Sequence, residues 1–196
     1  MICLKNKSIG VAYTGSFCTY KKAFNELENI VEKGANVQTI FSFNSQKINS
    51  RFGKTVNFLK KAEQITKKKP ILTISESEAI GPTACFDILI IMPCTGNTIA
   101  KLANAITDTP ALMAAKAHLR NQKPLLISIS TNDALGLSMK NIGLLLNSKN
   151  IFFVPFGQDD PVKKPNSMVA RLDLLLPSLK KALNGEQIQP VIVSYD

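Results

Sequence analysis

The chain has 196 residues, 45% of them hydrophobic, with 24 Lys and Arg against 14 Asp and Glu, giving a formal charge of +10. That length and apolar fraction suffice for one buried core, and no apolar run approaches the roughly 20 residues a membrane-spanning helix needs. The positive charge has two readings, a lysine-rich solvated surface or attraction of anionic ligands and an acidic partner chain. Scattered lysines with few interleaved aromatics argue against nucleic acid. The four cysteines, Cys3, Cys18, Cys85 and Cys94, form no C-x-x-C pair, so reduced thiols and no metal site are expected. The first residues carry no apolar export segment, which predicts a cytoplasmic protein.

Taken in chain order, Ser8–Tyr13 reads as a first strand. A helix follows, with Tyr20, Phe24, Leu27, Ile30 and Val31 at three- and four-residue spacing, stopped at Gly34. Residues 36–43 predict a second strand. Residues 50–68 predict a long amphipathic helix burying Phe52, Val56, Leu59 and Ala62, its last turn carrying Lys67, Lys68 and Lys69 where cations complement the dipole. Residues 70–82 read as irregular. Residues 87–92 predict the central strand, then a helix over 97–106. Asp108-Thr109-Pro110 reads as a helix start with proline in the first turn, leading to about residue 121. Residues 125–130 and 151–154 predict two more strands with a helix over 134–146 between them. The loop 155–166 is long enough for a lid or an oligomer contact. A last helix is expected over 167–183, and 188–195 as a short edge strand or tail. Strands alternating with helices, each strand almost continuously apolar, predict one α/β domain over residues 1–196, a three-layer doubly wound parallel sheet.

Two strand-to-helix junctions carry the functional signal. One is Tyr13-Thr14-Gly15-Ser16, the other Met92-Pro93-Cys94-Thr95-Gly96-Asn97-Thr98. In a parallel sheet such junctions open at the carboxyl ends of the strands, where ligands bind. Small hydroxyls, backbone N–H groups and a helix N-terminus suit an anion, most simply a mononucleotide phosphate. Thr14, Gly15, Ser16 and Ser42 would hold the phosphate, and the loop from Pro93 through Thr95, Gly96 and Asn97 would lie along the planar part. The alternative is that these residues are plain turns and helix caps. No G-x-G-x-x-G follows the first strand, and the second ends in Phe41-Ser42-Phe43-Asn44 without an acid, which argues against a dinucleotide site. The P-loop lysine pattern and the G-x-S-x-G elbow are absent too. The single histidine, His118, falls within a helix and reads as a packing or outer-surface residue. Cys18 and Cys94, near the crevice, read as small hydrophobes.

Three of these segments, Thr14-Gly15-Ser16, Pro93-Cys94-Thr95-Gly96-Asn97-Thr98 and Ser130-Thr131-Asn132-Asp133, resemble the T-G-S, P-A-S-A-N-T and P-A-M-N segments of the flavin-binding cysteine-decarboxylase-like superfamily. Within it, longer segments such as Ile129-Ser-Thr-Asn-Asp-Ala-Leu-Gly136 and Lys164-Pro-Asn-Ser-Met-Val-Ala-Arg171 are similar to the family of dipicolinate synthase B subunits. The resemblance implies a flavodoxin-like fold and an FMN pocket at a trimer interface, with homo-trimers or larger assemblies up to a dodecamer. It also implies a nicotinamide-binding partner, the dipicolinate synthase A subunit, with NAD(P) entering through that chain, and the sporulation mother cell as the location. By position, Gly15, Ser16, Ser42 and Ser130 would contact the cofactor, with Thr95 and Asn97 along the flavin ring. Asn132 would meet the substrate, a small anionic dicarboxylate. Asp133 is a candidate proton acceptor or else a helix cap, and Lys163, Lys164, Asn166 and Arg171 are candidate carboxylate contacts or solvated loop residues. Superfamily decarboxylases carry a catalytic histidine before the third strand. Residues 70–86 hold none, which weighs against a freestanding decarboxylase. A flavin prenyltransferase and a non-catalytic scaffold are the remaining alternatives.

Overall fold

A computed structural model describes residues 4–195 of the chain; Cys3 lies outside them. The first strand, β1, is Ser8–Tyr13. A short 3₁₀ turn, Phe17–Thr19, leads into α1, Tyr20–Glu32, whose Tyr20, Ala23, Phe24, Leu27 and Ile30 are buried at helical spacing. Gly34, in the left-handed region at φ 90°, ends it as expected. The chain then forms β2 (Asn36–Phe41), α2 (Phe43–Lys47) and α3 (Thr55–Thr66). Two short helices follow, α4 (Ile74–Glu78) and α5 (Ile80–Thr83). After β3 (Ile88–Cys94) come α6 (Gly96–Ala103), α7 (Pro110–Leu119), β4 (Leu125–Thr131), α8 (Met139–Leu146) and β5 (Ile151–Phe153). A hairpin, β6 (Phe156–Gly157) and β7 (Met168–Ala170), precedes the 3₁₀ turn Leu172–Leu174 and α9 (Leu175–Leu183).

The parallel strands lie in the order β2-β1-β3-β4-β5, the flavodoxin-like winding whose direction reverses between β1 and β3. All seven residues of β3 are buried, as a strand covered on both faces requires. On one side α1 packs on β2 and β3 with α3 beside it, and α9 packs on β4. Elsewhere α7 packs on β2, β3 and β4 with α4, α5 and α6 around it, and α8 lies against α6 and β5.

Several expectations needed correction. The sheet is mixed: β7 runs antiparallel to the end of β4, pairing Ser130 with Val169 and Thr131 with Met168, and β6 pairs with β7. Residues 168–170, expected as the start of a helix, therefore form a strand. The short β5 covers only Leu125 to Ile127 of β4, and the hairpin satisfies the main-chain groups that β5 leaves open. The expected helix over 50–68 begins only at Thr55, because Ser50 and Gly53 close a tight turn with reciprocal main-chain hydrogen bonds of 3.1 Å. Phe52 and Val56, expected in the core, are 46% and 50% exposed. Residues 70–82 are not irregular, since Thr73 and Glu76 form a capping box that starts α4. The helix expected from 134 starts at Met139 after a run of turns. Of the two alternatives for residues 188–195, a short edge strand or a tail, the structure shows the tail. It makes one bridge, Phe156 with Ile192, and crosses so close to Gly157 that a Cβ there would lie 1.9 Å from the Val193 carbonyl oxygen.

Candidate functional site

An aromatic cluster holds the first junction in place. The Tyr13 ring stacks on Phe24 and Phe41 at centroid distances of 5.0 and 4.9 Å, and the Tyr20 hydroxyl donates to the Thr14 carbonyl at 3.0 Å. Thr14 in turn ties the two junctions together. Its hydroxyl donates to the Pro93 carbonyl at 2.7 Å and accepts from the Thr95 N–H at 3.1 Å, so this buried side chain acts as a stitch between loops. Pro93 lies buried within β3 and contributes its carbonyl to that stitch.

Above the stitch the carboxyl ends of β1, β3 and β4 converge. The Ser16 and Ser130 hydroxyls meet at 2.7 Å across 114 positions of sequence. Thr95 caps α6, accepting from the Thr98 N–H at 3.3 Å. A Cβ at Gly96 would fall 2.7 Å from Thr131 Oγ1 and 3.0 Å from Ser138 Oγ, so glycine lets the start of α6 approach the end of β4 without displacing either hydroxyl. Ser42 Oγ lies 2.9 Å from Ser45 Oγ, which itself donates to the Tyr13 carbonyl at 3.1 Å.

Two clefts open here. The larger, about 730 Å³, is lined by Gly15, Ser16, Thr95, Gly96, Asn97, Ser130, Asn132, Asp133 and Lys164, with Cys18, Arg51, Phe52 and Asp159 among the other residues. The smaller, about 320 Å³, is lined by Thr14, Gly15, Ser42, Asn44, Thr95, Asn97, Thr98 and Lys101. Gly15, Thr95 and Asn97 line both, so the two adjoin along that edge. The structure thus gathers most of the residues expected from the sequence. It places Asn166 and Arg171 elsewhere. Asn166 is exposed, and its carbonyl accepts from the Leu135 N–H at 3.1 Å. Arg171 binds Asp173 through Nε and Nη2, both at 3.0 Å, in an adjoining crevice of about 450 Å³.

The loop 158–167 joins β6 to β7 and brings Asp159 and Lys164 to the larger cleft. Asp159 accepts from Ser167 Oγ at 2.6 Å and from Lys164 Nζ at 2.8 Å. Burial alone would raise its carboxyl pKa, but these two donors and the lysine charge outweigh burial and hold it below the usual range. Asp133 does not cap α8, whose N-cap is Ser138. Its carboxylate accepts from Ser138 Oγ at 3.3 Å and its carbonyl accepts from the Gly136 and Ser138 N–H groups, which shapes the turn below Asn132. Cys94 is buried, and burial pushes its thiol up, out of nucleophile range. His118 is 1% exposed, with Nε2–H donating to the Pro124 carbonyl at 2.9 Å; burial lowers its pKa to about 4. It is a core residue outside both clefts.

Arg51, Phe52, Ser138 and Asp159 are cleft residues that the sequence did not point to. For the first two a signal was present: Ser50 and Gly53 bracket them as turn residues inside an otherwise helical pattern.

A flavin mononucleotide fits the donors present. Neutral hydroxyls of Ser42 and Thr98 and the amide of Asn44 face the smaller cleft, while Ser16, Ser130 and Asn97 face the larger. A Cβ on Gly15, which borders both, would meet nothing nearer than Asn44 Cβ at 3.6 Å.

Residues 2–170 match the family model described as Flavoprotein. The chain belongs to that family. Within it, the chain is 50% identical over 193 residues to the dipicolinate synthase B subunit of Bacillus subtilis (strain 168), covering 98% of this chain and 96% of that one. It therefore belongs among the dipicolinate synthase B subunits. The crystal structure of the dipicolinate synthase B subunit from Bacillus halodurans superposes with a TM-score of 0.91 at 43% identity, covering 100% of both chains. The FMN-dependent cysteine decarboxylase SpaF, at 18% identity and a TM-score of 0.61 over 89% of this chain and 95% of that one, shares the fold.

Proposed function

We propose that this chain is the B subunit of a two-chain oxidoreductase that makes dipicolinate from the dihydrodipicolinate-pathway intermediate, in the cytoplasm of the sporulation mother cell. The full-length likeness to the Bacillus subtilis protein carries this reading, and the hydroxyl-lined clefts at the β1–β3 reversal support it. The dipicolinate synthase A subunit is the partner and brings NAD(P). Homo-oligomers belong to the same proposal, and the exposed Leu137, Leu144 and Val162, at 81%, 57% and 89%, are side chains whose burial in an assembly would be looked for. The whole chain acts as one domain.

Ser42, Ser16 and the N–H groups around Gly15 would hold the FMN phosphate, and Thr95, Gly96, Asn97 and Ser130 the ring; bound FMN supplies two-electron redox chemistry. The chain's own part is to bind and orient. Asn132 presents an amide to the substrate, Lys164 a charge for a carboxylate, and Asp133 an acceptor within reach of the same cleft. The test is to mix the purified chains and follow nicotinamide reduction with the dihydrodipicolinate-pathway intermediate present. Activity that requires both chains is expected; equal activity from the nicotinamide-binding partner by itself would overturn the reading.

A further inference from the structure

The larger cleft holds two cations of different standing. Lys164 is paired with Asp159. Arg51 has no carboxylate partner among the described residues; its guanidinium lies over the Phe52 ring, 4.9 Å from the centroid. Both Arg51 and Phe52 sit at the tip of the Ser50–Gly53 turn, and that turn is built firmly. Besides the reciprocal main-chain bonds, the Phe52 N–H donates to Ser50 Oγ at 3.2 Å. Asn49 Oδ1 accepts from the Thr55 N–H at 3.0 Å and so fixes the start of α3. Gly53, at φ 147°, takes a conformation side chains rarely adopt, and a Cβ there would lie 2.7 Å from the Phe58 ring. A braced turn thus holds a guanidinium and a 46% exposed phenyl ring at the cleft.

We propose that Arg51 and Lys164 are the two carboxylate-binding cations of this cleft, and that Phe52 covers the ring between them. The ligand class is a flat six-membered nitrogen heterocycle carrying two carboxylates. This rests on the proposed function and adds to it the residues that count the carboxylates. The chemistry matches on three points. A guanidinium already oriented on a ring face binds a carboxylate through two parallel N–H bonds. The exposed phenyl offers an apolar face to a planar ligand. Lys164 can exchange Asp159 for a ligand carboxylate without orphaning the acid, because Ser167 Oγ stays on Asp159 at 2.6 Å. Arg51 shares the larger cleft with Ser16 but is absent from the smaller one that Ser42 lines, so the FMN affinity of an Arg51 variant decides between a substrate carboxylate and the flavin phosphate.

The experiment is calorimetric titration of the two-chain complex with dipicolinate and with picolinate, which lacks one carboxylate. The wild-type chain is compared with Arg51→Gln, Arg51→Lys and Lys164→Gln, and FMN affinity is measured alongside by fluorescence. Arg51→Gln and Lys164→Gln are each expected to weaken dipicolinate about ten- to a hundredfold, the span of one charged hydrogen-bonded contact. Arg51→Lys falls between. Picolinate is expected to weaken in only one of the two Gln variants, and FMN affinity to stay within about twofold. Dipicolinate affinity unchanged in Arg51→Gln overturns the inference, as does loss of FMN in its place or failure of dipicolinate to bind the wild-type complex. Turnover by the wild-type complex reports separately on the proposed function, so the two can fail independently.

Discussion

Replacing Thr14 with valine tests whether that hydroxyl is a structural stitch or a ligand contact. Valine keeps the volume and branching but removes the oxygen that donates to Pro93 and accepts from Thr95. Two main-chain groups are then left without that partner at a site only 1% exposed. An orphaned buried group costs about 1–3 kcal/mol, so the pair should lower stability by about 2–6 kcal/mol. For a chain of this size that is a fall in melting temperature of about 4–24 °C. Serine restores the oxygen and gives up one methyl, about 1 kcal/mol, so Thr14→Ser should melt well above Thr14→Val. The assay is thermal and urea unfolding of the three proteins, with FMN titration of each. Valine and serine variants of equal stability would refute the stitch. So would a valine variant as stable as the wild type that has lost only flavin affinity, which would mark Thr14 as a ligand contact.

Three further substitutions probe the same framework. His118 is the chain's only histidine, and burial, opposed by its bond to Pro124 and aided by the Lys123 charge, lowers its pKa from 6.5 to about 4. Below pH 6.5 the unfolded chain takes up a proton that the native one refuses. Stability present above that pH should therefore fall by about 3 kcal/mol as pH drops to about 4. Urea midpoints measured between pH 7 and 5 should show the slope, and His118→Gln should flatten it; an identical slope in the variant refutes the assignment. Tyr13→Phe removes a buried hydroxyl with no partner among the described residues while keeping the stacked ring. It should raise stability by about 1 kcal/mol, and a lower melting temperature would show the hydroxyl to be satisfied. Gly96→Ala places a methyl 2.7 Å from Thr131 Oγ1. It should destabilise by about 1–3 kcal/mol through overpacking and weaken FMN binding, whereas a more stable variant would show that the gain in helix propensity prevails.

The parallel core and both junction loops were legible in the sequence because each rests on local signals. Ile88 to Met92 is a continuous apolar run, Thr109-Pro110 is a helix start, and Gly34 is a stop, and each appears in the structure within a few residues of its expected place. The misreadings are non-local. Nothing near residue 168 announces that Met168 and Val169 will pair with Thr131 and Ser130; that strand exists because β5 is three residues long and the upper half of β4 needs partners. Helical spacing from Phe52 to Ala62 placed Phe52 in the core, but Gly53 cannot take its observed backbone inside a helix, and the helix starts two residues later. The same glycine that spoils the pattern turns Arg51 and Phe52 outward, to the cleft. A single turn residue thus decides whether an arginine and a phenylalanine join a hydrophobic face or line a cleft, and here it leaves Phe52 46% exposed beside the Arg51 guanidinium, with ring surface that a flat ligand can cover.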